Sequence, residues 1–75
     1  MASKKKKSEA VYRVTEIIGT SPTSWEAAAK NAVETAAASL RDLRVAEVQQ
    51  LDMKVENGKV VAYRARVSLS FKYQP

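Results

Sequence analysis

Residues 11–27, VYRVTEIIGTSPTSWEA, restrict this chain more than any other stretch. β-branched and aromatic residues fill residues 11–18, the composition of a strand. Residues 19–24 read as the break: Gly19 accepts a positive φ without steric cost, and Ser21-Pro22 suits a helix entry. Thr23 with Glu26 three residues on fits a capping box. Thr23 or Ser24 is the predicted cap. An alanine-rich helix follows, to about Leu40 or Leu43. Its apolar face is Trp25, Ala29, Ala32, Val33, Ala36, Leu40 and Leu43, at spacings of three and four.

Two alternating arms close the chain. Residues 46–56 and 60–73 flank Asn57-Gly58, a hairpin signal. The second arm sets Val61, Tyr63, Ala65, Val67, Leu69, Phe71 and Tyr73 against Ala62, Arg64, Arg66, Ser68, Ser70 and Lys72. A two-residue turn pairs Glu56 with Lys59. A three-residue loop with a bulge pairs Val55 with Lys59, and sets Leu51, Met53 and Val55 beside Tyr63, Val61 and Lys59. A one-residue slip reverses every side chain, so the apolar match predicts the three-residue loop. The resulting class is α+β, in the order β-α-β-β: a three-stranded antiparallel sheet on one helix.

Seventy-five residues make one small domain. Such a chain buries only about 60% of its unfolded surface, and small folds need a staple. Without cysteine there is no disulfide or thiolate site. Without histidine the commonest general base and metal ligand are missing. The serines and threonines therefore lack an activating base, and no enzyme is predicted. Association, or a cation bound by oxygens, remains. Open strand edges also call for a covering chain. The net charge is +5, of which Lys4, Lys5, Lys6 and Lys7 supply four. Residues 1–9 are expected to be a disordered Lys-rich tail and 10–75 the folded domain. No aromatics interleave with the lysines, so nucleic acid is not an expected partner. No signal-peptide core or membrane-length apolar run is present, and a cytoplasmic location is expected.

The arrangement and several motifs resemble dodecins, small β-α-β-β proteins that assemble as hollow dodecamers. The matching residues are Val11-Tyr12, Glu16-Ile17-Ile18, Gly19-Thr20-Ser21 and Trp25-Glu26-Ala27-Ala28. Leu40-Arg41, Glu47-Val48, Tyr63, Val67 and Phe71 continue the match. The resemblance implies a homododecamer that binds or stores a small ligand. In flavin-binding dodecins a tryptophan of the second strand stacks on the isoalloxazine ring, and a glutamine after the third-strand tyrosine bonds the flavin edge. The matching positions here are Val45 and Arg64. Valine has no aromatic face, and arginine donates hydrogen bonds but accepts none. The run from Ile17 through Glu26, with Arg44-Val45-Ala46, Asp52-Met53 and Ser70-Phe71-Lys72, is similar to the calcium-dodecin branch. That likeness implies calcium as the ligand, with flavin storage as the alternative.

Calcium takes six to eight oxygens, and no EF-hand loop is present. Asp52 and Glu56 near the hairpin end are the candidate metal ligands, beside Asn57. Glu16 and Glu47 lie in strands. The plainer alternative makes Glu56 a surface group and pairs Asp52 with a cation across the sheet. Trp25 is expected to pack into the core or an interface. Arg44, Arg64 and Arg66 form either an anion site or, as favoured here, ion pairs with Glu16 or Glu47.

Overall fold

A computed structural model describes residues 10–73. Strand β1 (Tyr12–Ser21) leads to helix α1 (Trp25–Ala37), then to the hairpin of β2 (Leu43–Glu56) and β3 (Lys59–Lys72). The sheet is antiparallel in the order β1-β3-β2. β3 is central, and the expected α+β class is observed. The expected tail at residues 1–9 lies outside the described residues. Among those described, no helix is long and apolar enough to cross a membrane.

Residues 19–21 do not break the first strand. Gly19, Thr20 and Ser21 pair with Ala65, Arg64 and Tyr63, so β1 ends at Ser21. The glycine serves a different purpose from the one expected. α1 crosses directly over it: a methyl group built on Gly19 would collide with the Ala28 carbonyl oxygen and lie 2.8 Å from Ala32 Cβ. After Ser21 the turn is held by side chains. Ser21 Oγ accepts from the Thr23 amide at 3.1 Å. Ser24 is the N-cap, and its Oγ accepts from the Ala27 amide at 3.0 Å.

α1 is shorter than its apolar spacing suggests. It ends at Ala37, where the amides of Ser39 and Leu40 both donate to the Ala36 carbonyl, at 3.0 and 2.9 Å. That tight last turn satisfies helix-end carbonyls. Asp42, at φ 56°, then redirects the chain. Leu40 and Leu43 still pack on the core, from the loop and from β2.

The hairpin corrects the expected loop. Glu56 pairs with Lys59, so the turn is the two residues Asn57 and Gly58, both at positive φ (52° and 76°). That combination matches a type I′ turn, whose twist suits the flanking strands. The apolar match is recovered elsewhere, by bulges. Val55 faces Val60 while Lys54 faces Ala62, leaving Val61 as an extra residue in β3. A second irregularity leaves Gln49 extra in β2, between Val48↔Val67 and Gln50↔Arg66, and a third leaves Arg44 extra. Each bulge shifts the alternation by one residue. Ala46 and Val48 therefore share the helix side with Leu69 and Val67, and Leu51 and Met53 share it with Ala65 and Tyr63.

The core is thin. Ala28 and Ala32 of α1 lie against Ala65, Val67 and Leu69, flanked by Ile17, Ala29, Val33 and Ala36. α1 covers β1 and β3 and scarcely reaches β2. Val48, Leu51 and Met53 consequently remain about half exposed on the helix side of β2. The opposite face of the sheet carries no helix.

Candidate functional site

Register builds a polar surface on the helix-free face. With Ala65, Val67 and Leu69 turned to the helix, the alternate residues Arg64, Arg66, Ser68 and Ser70 project the other way. Their cross-strand neighbours are Asp52, Gln50, Glu47 and Val45 on β2, and Thr20, Ile18, Glu16 and Val14 on β1.

Asp52 and Arg64 stand directly opposite each other and form a fork. Arg64 Nε donates to Asp52 Oδ1 at 2.7 Å, and Nη2 donates to Oδ2 at 3.0 Å. Two parallel charge-assisted bonds make this a geometrically specific pair. The Arg64 hydrogen bonds are the largest influence holding the Asp52 carboxyl below the ordinary carboxylate range, and the charges of Arg64 and Arg66 add to it. The same bonds raise the Arg64 guanidinium above its usual value. Both side chains remain about two-fifths exposed, so salt screens the pair.

A second tie reaches Asp52 from the helix side. Trp25 Nε1 donates to the Asp52 carbonyl at 2.9 Å. The indole meets the Tyr63 ring edge-on, with centroids 5.2 Å apart and planes at 73°. Trp25 thus joins the start of α1 to the hairpin, but it stays 36% exposed and outside the buried cluster expected to hold it. The backbone of Asp52 is held on one side of the sheet and its carboxylate on the other.

Several of the other charged candidates are also paired. Arg66 Nη1 lies 3.5 Å from Glu16 Oε1, so ion pairing accounts for Arg66 with one of its expected partners. Arg64 takes Asp52 instead of Glu16 or Glu47. Arg44 Nη2 is 3.8 Å from Asp42 Oδ1. Glu56 is on the surface, with Oε2 3.4 Å from Lys54 Nζ. The three arginines do not converge into one anion site.

Val45 and Arg64 share the helix-free face but not a neighbourhood. Val45 pairs with Ser70, six residues along β3 from Arg64, or about 20 Å at strand rise. Val45 is 56% exposed. One protomer therefore does not close these two positions around a ligand. Asp52 and Glu56 are four residues apart on β2, about 13 Å in an extended strand. Among the described residues no group of three or more acidic side chains is placed to hold a metal. A hollow of about 550 Å³ lies elsewhere, between the outer side of β1 and α1. Ile17, Thr20, Asn31, Thr35 and Leu40 help to line it, and it contains no ionisable group.

The Asp52–Arg64 register had a signal in the sequence. Val48 and Leu51 are three residues apart, which breaks a period of two and marks the bulge. No comparable signal announces the bond from Trp25 to the Asp52 carbonyl.

Comparison with known proteins agrees with this architecture. The family model described as Dodecin matches residues 11–74. The calcium dodecin of Mycobacterium tuberculosis is 51% identical over 65 residues, covering 87% of this chain and 92% of that protein. Its crystal structure, described as that of a calcium-chelating immunodominant antigen with a novel calcium-binding site, superposes with a TM-score of 0.77 at 52% identity. That match covers 88% of this chain and 94% of the other. The dodecin of Streptomyces coelicolor superposes with a TM-score of 0.84 at 38% identity, covering 91% and 97%. On its element order, its register and these matches, the chain belongs to the dodecin family.

Proposed function

We propose that the protein is a non-enzymatic homododecameric shell that binds or stores calcium or another small ligand, in preference to flavin. The Asp52–Arg64 fork carries the choice of ligand. At the position where flavin-binding dodecins are expected to offer an amide, this chain holds a guanidinium already committed to a carboxylate. At the stacking position it holds valine, which forgoes the roughly 1–3 kcal/mol that a base gains from an aromatic platform. Calcium is favoured by the 51% identity to a calcium dodecin.

Because the described residues of one protomer bring no three carboxylates together, calcium's oxygens come from more than one subunit in this reading. Asp52 and Glu56 are the carboxylates proposed to contribute. An ionised carboxylate has about four lone-pair positions, and Arg64 engages two of those on Asp52. Elemental analysis of the assembled particle, with calorimetry of the metal-free protein, tests this. Saturable heat with calcium and a rise in melting temperature are expected, and Glu56→Gln should weaken both. No heat and no thermal shift would remove calcium. Quenching of riboflavin fluorescence by the protein would restore the flavin alternative.

A further inference from the structure

Arg64 occupies the very carboxylate that a cation would need. Its fork sets one N–H on each oxygen of Asp52, at 2.7 and 3.0 Å. The register places the two residues directly opposite each other, so the contact does not depend on a distant loop. One negative and one positive charge cancel at short range. A second cation brought to the same two oxygens meets the guanidinium as a like charge. Arg66, two residues along β3 on the same face, adds another positive charge, 3.5 Å from Glu16.

Two observations make the fork releasable. Both side chains stay about two-fifths exposed, so a freed guanidinium turns to water and is not left buried without a partner. Asp52 also does not rely on Arg64 for its position. Its carbonyl accepts from Trp25 Nε1 at 2.9 Å, and the indole rests edge-on against Tyr63. The backbone under the carboxylate is therefore held from the other side of the sheet when the arginine leaves. The pairs Arg44–Asp42 and Lys54–Glu56 are longer, at 3.8 and 3.4 Å. They lack the paired bonds that make an exchange at Asp52 costly.

We propose that Arg64 is a displaceable counter-cation for Asp52: it holds the carboxylate while no metal is bound, gives it up when calcium binds, and so sets the affinity of that site. The proposal rests on the calcium reading above. It predicts that the residue opposite the ligand works against binding. Removing it should strengthen binding, whereas removing a supporting residue would weaken it.

The test is calorimetry of the full-length, metal-free particle with calcium chloride as the probe. Arg64→Gln should lower Kd about threefold or more, the scale on which exposed ion pairs act. Arg44→Gln removes the same charge away from Asp52 and should leave Kd unchanged. In an Asp52→Asn background the gain from Arg64→Gln should vanish, because the competition is for that carboxylate. Melting temperatures add a signature that a purely structural role would not give. Without calcium, Arg64→Gln should melt below the wild type, since the fork is gone, yet calcium should raise its melting temperature by more. If Arg64→Gln does not keep the wild-type particle mass, Arg64→Lys takes its place, keeping a charge but losing the fork, with a smaller fall in Kd expected. Calcium binding by the wild type with an equal or higher Kd in the Arg64 variant overturns the proposal and leaves the calcium reading standing. So does a gain that persists with Asp52→Asn, or one that Arg44→Gln reproduces. Binding by the Arg64 variant alone upholds the proposal and removes calcium as the wild-type ligand. Binding by neither overturns both.

Discussion

Asp52 shows how one residue's surroundings decide its chemistry. Its carboxylate is committed to Arg64 and its carbonyl to Trp25. The composition of the hairpin shows that a carboxylate and an arginine are present on neighbouring arms. It does not show that they are opposite each other, because that depends on where the bulges fall. The pairing has a pH signature. A carboxyl lowered on folding contributes stability above its unfolded value and loses it as pH falls through its folded value. The Asp52 contribution should be complete at neutral pH, decline below about pH 4, and vanish beneath its lowered folded value. Acid denaturation should therefore separate the wild type from Asp52→Asn near neutrality and bring the curves together at the acid end. Following Asp52 by NMR, Arg64→Gln should move its midpoint back up toward the ordinary carboxylate value. An unchanged midpoint would contradict the fork.

Elements were readable where pattern alone dictates them. The alternation of β3 beyond its bulge, the Ser24 cap and the helix periodicity as far as Ala36 survive in the structure. Element ends were less readable, because backbone contacts decide them. Gly19 resembles a strand terminator in sequence, yet it lies within β1 because α1 needs its missing side chain. The apolar spacing through Leu40 and Leu43 continues a helical pattern, but those residues reach the same core from a loop and a strand. The hairpin gave a similar lesson. The apolar faces of the two arms do match, but the shift in phase occurs at bulges within the strands and not in the turn. Gly19→Ala tests the close approach of helix and strand. It should destabilise the protein by about 1–3 kcal/mol, the usual cost of overpacking, measured by urea denaturation at fixed protein concentration. A stability equal to wild type would show that α1 can lift from β1 at no cost.

The whole molecule is shaped for company. A protomer of 61 × 20 × 17 Å has a radius of gyration of 16.1 Å, against about 11 Å for a compact chain of this length. Among the described residues the buried apolar ones are three alanines, one valine and one leucine, while Val48, Leu51, Met53, Val60 and Val61 are among the large side chains left exposed. β1 and β2 are both edge strands, the kind of surface that natural proteins cover. Size and the missing staples were legible in the sequence and pointed to association. The interface itself was not, since no pattern in one chain states which surface meets which. The most direct test is the particle mass in solution by sedimentation or light scattering. Twelve chains of 8.3 kDa in one closed symmetric assembly predict a single species of about 100 kDa, and a species near 8.3 kDa would contradict the account.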